Sequence, residues 1–187
     1  MRPLRADARD NRARILMAAE DVFGRSPNAS TDEVAKLAQV GIATVFRHFP
    51  TKVELLEAVL TSRLKRLRDR ATELAGHDDP GAAFFGFFAQ FVSESASKLA
   101  IAEALSASGT VVGAEAKSAG AELRKAFALL LDRAQSAGAV RRDVSFPEVY
   151  ALLVGASRGA TTAGLEPEVR DRMLGLVYDG LRSGRAA

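Results

Sequence analysis

Residues 30–58 of this 187-residue chain, STDEVAKLAQVGIATVFRHFPTKVELLEA, contain two helix-start signals so close together that the backbone between them has few ways to run. Ser30 and Glu33 have the spacing of a capping box, in which the serine hydroxyl accepts from the N3 amide and the glutamate reaches back to the N-cap amide. Val34, Ala35, Leu37 and Ala38 give the helix that follows an apolar face. The chain then turns at Gln39-Val40-Gly41. A second helix over 42–48 directs Val45 and Phe49, with Phe46 nearby, toward the first, and leaves Ala43, Thr44, Arg47 and His48 facing outward at least in part. Pro50 ends it. Thr51 and Glu54 form a second capping box, so a third helix beginning near Lys52 is specified by its own sequence.

Two short helices joined by a tight turn, the second rimmed by small, hydroxyl and basic side chains, fit a helix-turn-helix whose second helix enters the major groove. The run VGIATVFRHFPTKVELL, Val40 to Leu56, resembles the signature of the TetR family of transcriptional regulators. Arg14-Ile15-Leu16 with Ala18-Ala19 and Val22-Phe23 resembles the first helix of the same domain. The resemblance covers the first third of the chain. It implies an all-α fold, with a three-helix DNA-binding domain over 1–51 and a helical bundle for ligand binding and dimerisation over 52–187, linked by a helix over 52–75. It also implies a homodimeric repressor released from a double-stranded DNA operator by a small molecule. The DNA-contact candidates are Gly41, Ala43, Thr44, Phe46, Arg47, His48 and Lys52. Thr44 and His48 match family positions that usually touch the DNA backbone, Lys52 sits at a helix N-terminus that favours phosphate, and Arg47 has the reach to read a guanine edge. Two residues depart from the family pattern. Gln39 stands where the family usually has Gly, so the turn is strained if its φ is positive, and Phe46 stands where the family usually has Tyr.

Cysteine is absent, which excludes disulfides and thiolate chemistry and fits a cytoplasmic protein. No apolar run approaches the length of a membrane span, so no membrane partner is expected. Through Arg70 there are fourteen Lys and Arg against nine Asp and Glu, and beyond it twelve against fourteen, so the basic excess lies with the helix-turn-helix. With two histidines and no Gly-rich phosphate loop, neither a catalytic triad nor a metal cluster assembles, and no cofactor, metal or enzymatic activity is expected. His77-Asp78-Asp79 reads as a capping loop before Pro80.

Helical periodicity runs through the rest of the chain and no strand pattern appears. Helix one spans roughly 8–24, ending at Gly24 and Ser26-Pro27-Asn28. Pro80 to Lys98 carries Phe84, Phe85, Phe87, Phe88 and Phe91 on one thick face. Further helices are expected around 99–106, over 115–137, from the Ser145/Glu148 cap to about Gly164, and from Pro167 onward. Bulky residues at this spacing most often fill interiors, and the same face can line a cavity for an apolar or aromatic effector. The ligand candidates are Phe84, Phe88, Phe91, Phe127, Tyr150 and Arg158. Arg2, Arg5, Arg9 and Arg12 read either as an arm toward DNA or as a solvated charged end. Gly155, Gly159 and Ala163 form a ridge of small side chains that suits a helix-on-helix homodimer, or close packing within one subunit. The rival to a DNA-binding regulator is a small-molecule binding or carrier protein whose N-terminal helices only pack.

Overall fold

The computed structural model describes residues 4–26, 28–109 and 111–184. Arg2, Pro27 and Arg185 lie outside the described residues, as does the side chain of Arg5. Nine helices occur among the described residues: α1 (Leu4–Arg25), α2 (Thr31–Leu37), α3 (Ile42–His48), α4 (Lys52–Leu74), α5 (Pro80–Ser93), α6 (Ser95–Ala107), α7 (Ala114–Ser136), α8 (Phe146–Thr162) and α9 (Pro167–Leu181). The described residues contain no strand, only an isolated bridge between Val140 and Arg182. They pack as two compact units, Met1–Arg63 with Ser97–Ser118, and Leu64–Ala96 with Ala119–Ala187.

In the first unit α1, α2 and α3 pack on one another. Ile15, Ala19 and Phe23 of α1, Val34 of α2 and Val45 of α3 are fully buried, and so are Leu55 and Val59 at the start of α4. Burying each large side chain is worth about 1.5–3 kcal/mol, which offsets the low intrinsic stability of two seven-residue helices. The Arg63 guanidinium Nη2 donates to the Glu20 carbonyl at 2.7 Å and ties α4 to α1. The α6–α7 link is tied to α4 where the Gly113 amide donates to Glu57 Oε1 at 2.5 Å. A Cβ at Gly113 would displace that carboxylate, so a larger residue there would break the tie.

The second unit is built on an aromatic core. Phe84, Phe87 and Phe88 of α5 are fully buried with Phe127, Leu130 and Leu131 of α7, Val149 and Leu153 of α8, and Leu174 and Leu181 of α9. Asp79 caps α5 by accepting from the Ala82 amide at 2.9 Å, with Pro80 in the first turn, as its sequence specifies. The α5 helix stops at Ser93 rather than running to Lys98, and α6 starts at Ser95. Ser95 is buried, and its hydroxyl lies 2.6 Å from the Val92 carbonyl and 3.3 Å from both the Ser157 carbonyl and the Thr161 hydroxyl of α8. A serine whose hydroxyl bonds back to the end of the preceding helix and across to α8 offers the backbone an alternative to continuing as one helix.

Candidate nucleic-acid interface

The turn that sets α3 against α2 is closed by backbone bonds in a Schellman pattern. Val40 donates to the Ala35 carbonyl and Gln39 to the Lys36 carbonyl, each at 3.1 Å, with Ala38 as the C-cap. This motif needs a left-handed residue immediately after the cap, and Gln39 takes that conformation with φ 54°. It is the non-glycine residue with positive φ among the described residues. At the other end of α2 the expected capping box is present: the Glu33 amide donates to Ser30 Oγ at 3.3 Å, and the Ser30 amide donates to Glu33 Oε1 at 3.0 Å. The bond from the Ser30 amide, followed by that with its hydroxyl, holds the Glu33 carboxyl below its ordinary pKa.

Gly41 is the N-cap of α3, and its carbonyl accepts from the Thr44 amide at 2.8 Å. Its φ of −69° is open to any residue, and a Cβ there would meet nothing within 4 Å. The fold therefore does not require glycine at this position. On α3, Val45 is buried inward, while Ala43 and Arg47 are exposed, Thr44 and His48 are partly exposed, and Phe46 presents 42% of its surface. The first turn of α3 holds no acidic residue, and its last turn holds Arg47 and His48. Thr51 Oγ1 accepts from the Glu54 amide at 3.1 Å and starts α4 at Lys52 as the sequence specifies. The candidates from Gly41 to His48, with Lys52 one short turn further on, thus share one capped and braced segment.

Two cations near this segment rest on aromatic rings. The Arg12 guanidinium lies 4.9 Å from the centroid of the Phe49 ring, and Lys52 Nζ lies 5.5 Å from that of Phe23. Such contacts hold a long side chain in a set direction while leaving its charge available. Arg12 falls among the arm candidates, but its ring partner is distant in sequence. Arg9 is exposed.

The ligand candidates are divided by the structure. Phe84 and Phe127 stack with centroids 5.6 Å apart and planes within 7°, and Phe88 packs on Phe127 at 6.5 Å, all three sealed from solvent. Phe91 and Tyr150 lie at the margin of the cluster, Phe91 6.3 Å from Phe87, and Tyr150 stacked on Phe146 at 5.7 Å. Arg158 stands apart, exposed on the side of α8 away from Val149, Leu153 and Ser157. Tyr178, not anticipated from sequence, joins the cluster: its hydroxyl donates to the Phe85 carbonyl at 3.1 Å, and burial pushes its pKa up to about 12. Its place four residues after Leu174 on α9 was the available signal. The small residues of α8 are open, with Gly155 and Gly159 exposed and nothing within 4 Å of a Cβ at either. Among the described residues no group of acidic or histidine side chains is arranged to hold a metal ion, and no helix is long and apolar enough to cross a membrane.

The family model described as bacterial regulatory proteins, tetR family, matches residues 15–59, and that described as transcriptional regulator SbtR-like, C-terminal domain, matches residues 79–183. The crystal structure of a TetR transcription regulatory protein from Mycobacterium vanbaalenii is similar to this chain at 38% identity and TM-score 0.78, covering 96% of this chain and 99% of that one. The TetR transcriptional regulator SCO0520 from Streptomyces coelicolor is similar at 30% identity and TM-score 0.75, covering 93% of this chain and 99% of that one. The HTH-type transcriptional regulator TtgW of Pseudomonas putida is 43% identical over 60 residues, which span 31% of this chain and 45% of that protein. The chain thus matches less than half the length of this curated relative.

Proposed function

Because the chain belongs to the TetR family of bacterial transcriptional regulators, we propose that it is a cytoplasmic homodimeric repressor that a small-molecule effector releases from its DNA operator. The observation that carries the reading is the outward face of α3. It is free of acidic residues in its first turn and is held by the Gln39 turn on one side and the capped start of α4 on the other. Arg47 supplies a planar donor pair that matches the O6 and N7 acceptors of guanine. Thr44, His48 and Lys52 supply donors to phosphate, which fix the register without reading sequence. Gly41 leaves the start of α3 unobstructed, so that backbone can approach the duplex closely. Two copies place their α3 helices in successive major grooves about 34–36 Å apart.

The open ridge at Gly155 and Gly159, with Leu152 of α8 and Leu176 of α9 exposed, supports a dimer contact formed by these two helices. Arg158 projects from the same exposed surface of α8 and is assigned to that contact. The effector is assigned to the second unit. Since Phe84, Phe88 and Phe127 are closed off, an apolar or aromatic molecule enters at the margin, by Phe91 and Tyr150, and exchanges ring-on-ring contacts for ring-on-ligand contacts. It releases DNA to the extent that it binds one conformation better than the other.

The test is binding to a duplex recovered by the protein from a random-sequence library, measured against salt. Neutralising several phosphates releases counterions, so log Kobs should fall linearly with log salt at about −0.9 per phosphate contact. A carrier protein would show no duplex binding at low salt, and that result would overturn the reading.

A further inference from the structure

We propose that the outer face of α1 is a two-fold contact surface for a second copy of this chain, through which dimers bound at neighbouring DNA sites bind cooperatively. The proposal rests on the DNA-binding reading above. Asp10, Arg14, Met17, Asp21 and Arg25 are all exposed, and their spacings of four, three, four and four residues keep them in one stripe along the helix. Ile15, Ala19, Val22 and Phe23 take the opposite side and are buried.

The order of charges in the stripe is symmetric about the midpoint between Met17 and Ala18. Counting outward from there, Arg14 mirrors Asp21 and Asp10 mirrors Arg25. Two such helices laid antiparallel about a two-fold axis through that midpoint set each arginine opposite an aspartate, with the two exposed Met17 side chains meeting beside the axis. A parallel arrangement would set arginine on arginine. An isologous contact demands this self-complementarity, whereas a face that only meets water does not. The centre of the surface is apolar: Met17 is 71% exposed and Leu37, at the end of α2, is 48% exposed. These two share a shallow depression with Arg14 and Asp21. Within one chain Arg25 pairs with Asp21 at 2.8 Å and Arg14 donates to Asn11 Oδ1 at 2.5 Å. Exchanging exposed pairs of this kind for pairs across the axis changes little energy, so the charges fix orientation rather than strength.

From Asp10 to Arg25 the stripe is about 22 Å long and one helix, about 10 Å, wide. That is roughly 200 Å² per copy, against about 800 Å² per partner in a stable complex. The contact is therefore too small to join free chains and acts where DNA holds both copies at high effective concentration.

The experiment compares duplexes carrying one or two copies of a library-selected site, with the spacing between copies varied by single base pairs over one helical turn. The readout is two-site affinity relative to one-site affinity, and wild type should show roughly tenfold cooperativity at a preferred spacing. Arg14→Asp and Asp21→Arg should each abolish it, and the charge-neutral double exchange should restore it with one-site affinity intact. A ratio unmoved by Arg14→Asp, or independent sites in wild type at every spacing, overturns the proposal. So does a double exchange that loses one-site affinity, which would mean that the stripe meets DNA. If no duplex is bound, the function proposed above fails, and the pairing is read alone. The chain has no cysteine, so Met17→Cys places a single thiol beside the axis. Oxidation of concentrated protein should cross-link it faster than an Asp132→Cys control, and equal rates overturn the pairing.

Discussion

Replacing Gln39 with glycine should stabilise the protein, and the turn geometry gives the size of the effect. Gln39 holds φ 54°, where the clash between Cβ and the following carbonyl costs an L-residue about 1–2 kcal/mol. Gln39→Gly removes that cost, but glycine loses about 0.5–1 kcal/mol more backbone entropy on folding. The Gln39 amide still donates to the Lys36 carbonyl in either case, and the exposed Gln39 side chain takes little packing with it. The balance is a gain of about 0.5–1 kcal/mol, which at a urea m-value of about 2 kcal/mol/M raises the midpoint by about 0.25–0.5 M. Gln39→Val should move it the other way, because a β-branched side chain is least tolerant of a left-handed backbone. The assay is equilibrium urea unfolding followed by far-UV circular dichroism, which suits a helical chain without tryptophan. Operator affinity should not change with Gln39→Gly, because the bonds that angle α3 against α2 are all backbone bonds. A glycine variant no more stable than wild type, or a valine variant equal to it, would refute the reasoning.

Phe127→Ala should cost about 3–5 kcal/mol, since it removes the ring on which Phe84, Phe87 and Phe88 all pack, whereas Phe91→Ala, at the margin, should cost less and alter thermal stabilisation by apolar ligands. Gly159→Leu should leave the monomer folded, because the space above Gly159 is open, but should shift sedimentation from dimer to monomer and weaken operator binding. Glu33 and Glu148 both sit below the ordinary value of 4.5 through their bonds to Ser30 and Ser145, so their contribution is complete above 4.5 and is lost as the pH falls through the lower folded values. Thermal melts of Glu33→Gln and Glu148→Gln should accordingly fall less steeply with acid than those of wild type.

The local devices were legible and the tertiary ones were not. Ser30 with Glu33, Thr51 with Glu54, and Asp79 before Pro80 each act within four residues, so their chemistry is written in the sequence. The positive φ at Gln39 was legible from the departure from the family pattern. The break at Glu94 was not, because Ser95 answers to Ser157 and Thr161 more than sixty residues away. Nor was the division of the phenylalanine face. Helical spacing marks the face as apolar, but which rings are sealed depends on Phe127 and Tyr178 arriving from other helices. Only the side of α8 that carries Val149, Leu153, Ser157 and Ala160 is buried, and the sequence around Arg158 does not mark it as lying on the other. The rings beneath Arg12 and Lys52 likewise come from distant residues and leave no local signature.

The central claim, that the α3 face reads DNA, is tested most directly by comparing Arg47→Ala and Lys52→Met on a library-selected duplex and on an unrelated one across a salt series. Methionine keeps an unbranched stem over the Phe23 ring while removing the charge, so lost packing is not mistaken for a lost phosphate contact. Arg47→Ala should weaken the selected duplex by about 1–3 kcal/mol and the unrelated one far less, whereas Lys52→Met should weaken both alike and make the salt slope shallower by about one unit. Affinities and slopes identical to wild type in both variants, with helicity intact, would contradict the account.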